Sequence, residues 1–225
     1  MQTPSGILLI DKPAGMTSFG VVARVRRMLS QEAGKKVKVG HTGTLDPFAT
    51  GLMIIVVGDY CKRAAEFSKL DKSYEATLHL GATSTTGDPE GEIAPGAGIV
   101  PTLNEIEAAA AQFRGAITQT PPIYSAIKID GQRAYKLARE GKAIEMPTRT
   151  VTVHSLDVTG YVYPALHIVC RVSSGTYIRT LAEDMGKVLG TGAYVTALRR
   201  TTVGTFAIAE AVALEAMNSK DIVTL

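Results

Sequence analysis

Much of the usual equipment of cofactor-dependent and metal-dependent proteins is missing from these 225 residues. There are two cysteines, Cys61 and Cys170, far apart and without a CxxC pair, so neither a disulfide framework nor a zinc knuckle is available and both thiols are expected reduced and buried. No G-x-G-x-x-G and no GxxxxGK[ST] occurs, so a nucleotide cofactor would lack its phosphate cradle; no cofactor and no bound metal are expected. The N-terminal apolar run, ILLI, is broken at once by Asp11 and Lys12, too early for a signal segment or a membrane span. The expectation is a soluble, cytoplasmic protein with no membrane partner. Nothing calls for an obligatory protein partner, and a monomer is expected.

What is present is a core-forming composition, 45% hydrophobic, and an uneven charge. The net charge is +3, yet six basic residues and one acid between Arg24 and Lys38 give +5 there and leave −2 for the rest. Such an asymmetry suits a polyanion, and it equally suits a solvated helix face.

The local pattern reads as short strands and occasional helices. Residues 7 to 10 form a strand, Pro13 and Gly15 a turn, and Thr17 or Ser18 caps a helix whose stripe is Val21, Val22, Val25, Met28 and Leu29, ending at Gly34. LMIIVV, residues 52 to 57, is a buried strand. Tyr74, Ala76, Leu78 and Leu80 alternate with Glu75, Thr77 and His79, a half-buried strand. Residues 81 to 98, with five glycines and two prolines, read as a mobile loop. Thr102 and Glu105 form a capping-box signature before a helix through Phe113, and a short helix around AYKLARE follows a turn at Asp130-Gly131. Strands are expected near 151–158, 165–172, 194–200 and 202–208, with a helix from about Tyr177 to Gly190 and a further helix near the end. Without a regular βαβ alternation, the fold class is α+β: a mixed, largely antiparallel sheet in one domain spanning 1–225.

One stretch, GHTGTLDPFATG at 40 to 51, holds a lone acid, Asp46. Pro47 favours extended geometry before it and Gly40, Gly43 and Gly51 allow tight bends, so the loop presents the carboxylate stiffly. Asp46 is either a nucleophile or the start of an Asx-turn, the common fate of an Asp-Pro step. Arg179 stands in a helix's first turn, where the macrodipole disfavours a cation. It is an ordinary surface arginine, or it has a partner elsewhere, for which Asp46 is a candidate. Tyr74 and Tyr177 are core or edge aromatics, or rings on which a base can stack.

Six segments in order, GILLIDKPAGMTS, GHTGTLDPFATGLM, KSYEATLHLG, QTPPIYSAIKIDGQRAYKLAREG, SSGTYIRTLAEDMG and ALRRTTVG, together resemble the bacterial tRNA pseudouridine-55 synthase family over nearly the whole chain. The resemblance implies the pseudouridine synthase fold and isomerisation of uridine to pseudouridine in the T-arm of tRNA, at position 55. It makes Asp46 the nucleophile and Arg179 its ion-pair partner, with Tyr74 stacking on the uracil and serving proton transfer. Tyr177 and Leu198 would line the pocket, and His41 would fill the space left by the flipped base. Lys12 and Pro13 would support the site loop, and 121–145 would close over the RNA. Many family members carry a C-terminal RNA-binding module that this chain is expected to lack. The chemistry needs a nucleophile and a closed pocket but no redox step. The competing reading is a non-catalytic RNA-binding or tRNA-folding factor. A phospho-aspartyl hydrolase is disfavoured because its Mg²⁺ would need further acids beside Asp46.

Overall fold

The computed structural model describes residues 4–125, 127–129, 131–140 and 145–225. Its elements, in chain order, are β1 (Gly6–Lys12), α1 (Ser18–Ala33), β2 (Val39–His41), β3 (Thr50–Val57), α2 (Ala64–Ser68), β4 (Lys72–Leu80), β5 (Ala82–Ser84), β6 (Ile93–Pro95), α3 (Leu103–Gln112), β7 (Gly115–Gln119), β8 (Lys128–Ile129), β9 (Gln132–Arg133), α4 (Ala134–Arg139), β10 (Arg149–Val162), β11 (Ala165–Val172), α5 (Ile178–Val188), β12 (Ala193–Val203), β13 (Phe206–Ala207) and β14 (Val212–Ala213). The chain divides into two compact units, one of residues 1–74 with 198–225, the other of residues 75–197. The turn expected at Asp130-Gly131 falls partly outside the described residues, as does part of the 121–145 segment.

In the first unit the strands run in the order β14-β1-β3-β12, with β2 on β3 and β13 on β12. β1 meets β3 antiparallel, from Gly6 opposite Val57 to Lys12 opposite Gly51, whereas β12 meets β3 parallel, Arg199 opposite Thr50 and Arg200 opposite Gly51. The unbroken apolar run of β3 has a simple cause: every residue from Gly51 to Val57 is buried, so both faces are covered. On one side Ile7, Leu9, Leu52, Ile54 and Val56 pack with Tyr60, Phe67 and Val203, each large apolar side chain contributing about 1.5–3 kcal/mol by leaving water. Helix α1 follows the expected stripe, burying Val21, Val22, Val25 and Leu29. Thr17 caps it by accepting from the Gly20 N–H at 3.0 Å, and Gly34 ends it in the left-handed region at φ 62°.

In the second unit the order is β12-β4-β11-β10-β7. β4 alternates as the sequence pattern requires, with Ala76, Leu78 and Leu80 buried. β10 and β11 form a long antiparallel hairpin with irregularities at Val153/Ser155 and Val158/Gly160. Helix α3 carries the full capping box of Thr102 and Glu105.

Three expectations need correction. The 81–98 segment is not simply loop: β5 and β6 pair antiparallel, Ala82 opposite Pro95 and Ser84 opposite Ile93. Three-residue strands rich in small and polar residues leave no apolar period to read. The strands placed at 194–200 and 202–208 are one strand, β12, that continues to Val203 and turns at Gly204 (φ 58°) into the two-residue β13. The terminal segment forms no α-helix; it has short 3₁₀ turns at Ile208–Glu210 and Ser219–Asp221 with β14 between them. β2 and β7 also carried no clear signal. Among the described residues no helix is long and apolar enough to cross a membrane.

Candidate active site

The Asp46 loop belongs to the first unit, and its backbone is braced at almost every residue. Ser18, the first residue of α1, both donates to the Leu45 carbonyl (2.9 Å) and accepts from the Leu45 N–H (2.8 Å). The Asp46 carbonyl accepts from Ala49 N–H at 3.1 Å, closing a tight turn. The Pro47 carbonyl accepts from Gly15 N–H at 2.8 Å and from the Lys12 ammonium at 3.2 Å. That ammonium is wholly buried and also binds the carbonyls of Pro13 (2.9 Å) and Met16 (2.7 Å). Lys12 and Pro13 thus belong to one polar knot that ties the DKPAGM turn to the loop carrying Asp46. Three backbone acceptors around one ammonium offset part of its desolvation cost.

Behind the loop lie two consecutive arginines of β12, whose side chains go to opposite faces as strand geometry dictates. Arg199 forks onto Asp11, Nη1 to Oδ1 at 3.1 Å and Nη2 to Oδ2 at 2.7 Å. Arg200 is buried (2% exposed) and reaches the carbonyls of Leu52, Gly43 and Thr44. Lys72, at the start of β4, donates to the carbonyls of Ser68 and Leu70. Burial, helped by the nearby Arg200 charge, pulls its ammonium down to about 8.

Of the other residues expected at the site, His41 ends β2 opposite Ile55, Tyr74 is buried on β4, and Leu198 is buried on β12. These three share the first unit with Asp46, Lys12 and Pro13.

Tyr177 and Arg179 lie in the second unit, where they have their own framework. Gln119, at the end of β7, accepts from the Tyr177 N–H (3.0 Å) and donates to its carbonyl (3.2 Å). Arg149 lies over the Tyr177 ring, 4.7 Å from its centre. Arg179 donates from Nη1 to Asp88 Oδ2 at 3.0 Å and to the Thr86 carbonyl at 2.7 Å. Its Nη2 donates to the Tyr124 carbonyl at 3.1 Å. Both members of the Arg179–Asp88 pair are 4% exposed, so neither is a surface residue. Asp88 is fixed in turn, its Oδ1 accepting from Thr86 Oγ1 and from the Glu90 N–H. Glu183, one turn of α5 beyond Arg179, has its carboxyl pushed up mainly by burial. It lines a cavity of about 550 Å³ with Thr86, Thr120, Tyr124 and Lys187.

The sequence reading missed Ser18, Lys72, Asp88, Gln119 and Arg200. One signal was available: Asp88-Pro89 is a second Asp-Pro step in a glycine-rich segment, with the same local chemistry as Asp46-Pro47. Among the described residues no group of three or more His, Cys, Asp or Glu side chains is placed to hold a metal ion. The chemical inventory is therefore a carboxylate on a rigid loop, a buried arginine on a buried aspartate, and tyrosines on ordered elements.

Comparison with known proteins gives the family. The family model for the TruB family pseudouridylate synthase N-terminal domain matches residues 26–178, and that for the tRNA pseudouridylate synthase B C-terminal domain matches 179–222. The tRNA pseudouridine synthase B of Pseudomonas aeruginosa is 46% identical over 213 residues, covering 95% of this chain and 68% of that protein. Its counterpart in Cupriavidus metallidurans is 45% identical over 217 residues, covering 96% and 68%. Among solved structures, a Cbf5-Nop10-Gar1 complex superposes with a TM-score of 0.73 at 28% identity, over 95% of this chain and 53% of that one. The chain thus spans about two thirds of the curated relatives and about half of the matched chain of that complex. These matches place the chain among the pseudouridine synthases, a class of isomerases, and within them it belongs to the TruB family.

Proposed function

We propose that this chain converts uridine to pseudouridine in the T-loop of tRNA, at position 55, with Asp46 as the nucleophile. The observation that carries the reading is the bracing of the Asp46 loop: Leu45, Asp46 and Pro47 each have backbone groups held by named partners. A carboxylate on so constrained a backbone is suited to attack at a defined place, since orientation accounts for a large part of a barrier.

Arg179 is the arginine that the family resemblance pairs with Asp46, keeping it ionised at neutral pH. Asp88 holds that arginine's fork in place. Tyr74 stacks against the uracil and serves proton transfer; Tyr177 and Leu198 line the pocket. His41 fills the space vacated by the target base. Residues 121–145 close over the T-arm. In the reaction the N1–C1′ bond breaks, the uracil turns, a C5–C1′ bond forms, the C5 proton leaves to solvent and N1 gains one. The step is redox-neutral and isomeric, so it calls on no nucleotide cofactor. Extruding the base costs a few kcal/mol, offset by stacking and hydrogen bonding in the pocket, and recognition of a folded loop rests on shape and extruded bases with a salt-sensitive phosphate contribution. The basic run from Arg24 to Lys38 suits that contribution.

The test is tritium release from tRNA transcripts labelled at uridine C5, with the modified position mapped. Release at position 55 that vanishes in Asp46→Asn is expected. Undiminished release by that variant would sink the nucleophile assignment. No release by the wild-type chain, together with retained tRNA binding, would favour the non-catalytic RNA-binding factor.

A further inference from the structure

Arg200 is among the largest fully buried side chains of the described residues, and among those residues its guanidinium meets backbone carbonyls and no carboxylate. Its Nε donates to the Leu52 carbonyl at 2.7 Å, its Nη2 to the Gly43 carbonyl at 3.1 Å and its Nη1 to the Thr44 carbonyl at 3.4 Å. Residues 43–44 precede Asp46 and residue 52 follows it, so one planar fork staples the two limbs of the loop. The backbone of Arg200 is fixed as firmly as its side chain. It pairs with Gly51 in the parallel register of β12 on β3, and Gly51, at φ 104°, has no room for a Cβ against the Arg200 backbone.

A buried cation without a counter-charge is unfavourable for the fold, and a hydrophobic residue of similar volume often serves stability as well or better. Lys72 lies beside it, its Cε 3.7 Å from where a Gly43 Cβ would stand, and adds a second buried positive charge. Stability alone does not explain such an arrangement. With Ser18 holding residue 45 and Lys12 holding residue 47, Arg200 supplies the missing hold on residues 43 and 44.

We propose that Arg200 is a positioning residue for the isomerisation, fixing residues 43, 44 and 52 so that the Asp46 carboxylate is delivered in attacking geometry. This rests on the reading of Asp46 as nucleophile. A lysine offers one ammonium in place of a three-point planar fork, and a glutamine retains a donor near the Nε position while losing both arms to the loop.

The experiment compares wild type, Arg200→Gln, Arg200→Lys, Asp46→Asn and Val203→Ala, a buried core change three residues further along the same strand. For each, single-turnover tritium release, tRNA affinity and thermal unfolding are measured. Arg200→Gln and Arg200→Lys are expected to react about 100-fold more slowly with tRNA dissociation constants unchanged within twofold. Val203→Ala keeps a near-normal rate despite a lowered melting temperature. An Arg200→Gln rate close to that of Val203→Ala would overturn the proposal, as would a loss confined to tRNA affinity. Hydrogen exchange gives a second reading that holds if the rates are obscured by poor folding of one variant. The Leu45 and Ala49 amides should exchange faster in Arg200→Lys while the β3 amides stay protected, and equal loop protection would also overturn it. An inactive Asp46→Asn beside a fully active Arg200→Gln refutes the positioning role alone, whereas an active Asp46→Asn refutes the nucleophile itself.

Discussion

Asp46-Pro47 and Asp88-Pro89 are the same dipeptide step in two glycine-rich segments, and the fold uses them in opposite ways. At Asp88 the carboxylate is the structural element: one oxygen accepts from Thr86 Oγ1 and Glu90 N–H, the other from Arg179. The bond to the amide two residues on is an Asx-turn, the modest fate weighed for Asp46. At Asp46 it is the backbone that is held, through Leu45, the Asp46 carbonyl and Pro47. An aspartate whose carboxylate is buried as a strut serves architecture. Clamps on the main chain fix where an aspartate's carboxylate is presented, which is what the proposed role of Asp46 requires.

The sharpest way to break this contrast is to change each carboxylate to its amide. Asp46→Asn should lose at least about 1,000-fold in tritium release, as removal of a nucleophile does, with its melting temperature nearly unchanged. Asp88→Asn should do the reverse in proportion: breaking the buried Arg179–Asp88 ion pair costs about 3 kcal/mol, lowering the melting temperature by roughly 6–12 °C. If Asp46→Asn instead unfolds the protein and Asp88→Asn leaves stability intact, the assignment of roles is inverted.

Arg179→Lys comes next in size. One ammonium cannot serve Asp88, Thr86 and Tyr124 from the positions the guanidinium occupies. Activity is expected to fall about 100-fold although the charge is kept, and near-normal turnover would contradict the need for a fork. Ser18→Ala probes the backbone clamp. It removes both bonds to Leu45 and strands a buried N–H and C=O, costing about 1–3 kcal/mol, and it should slow tritium release more than an equally destabilising core change does.

How much of this was legible beforehand follows from what each residue binds. β1, α1, β3 and β4 could be read because their apolar periods and caps are local: Thr17, Gly34 and the Tyr74-to-Leu80 alternation act within a few residues. Asp46 stood out because its glycines and proline surround it in sequence. Arg200 and Ser18 were invisible for the opposite reason, since their partners lie 148 and 27 residues away and no spacing rule connects a side chain to a distant carbonyl. Asp88 was overlooked because the Gly-rich composition of its segment reads as loop, while the β5–β6 pairing that presents it rests on backbone hydrogen bonds.

Lys72 supplies the smallest effect, a pH dependence seated beneath the Asp46 loop. Its ammonium titrates near 8 in the fold against an ordinary value of 10.5, because burial and the Arg200 charge disfavour the proton. Between those two values the unfolded chain carries the proton that the folded chain has released, so raising the pH favours the fold. Below about pH 8 both states are protonated and the buried charge is a constant burden. Stability relative to a Lys72→Met variant should therefore be flat below that point, rise as the pH climbs toward 10.5, and level off above it. Denaturant titrations of both proteins at several pH values give this difference directly, with the titrations common to the two chains cancelling. A difference that falls over this range would mean that Lys72 is held charged by a partner stronger than the carbonyls of Ser68 and Leu70, and the electrostatic picture of a cationic floor under the loop would have to be redrawn.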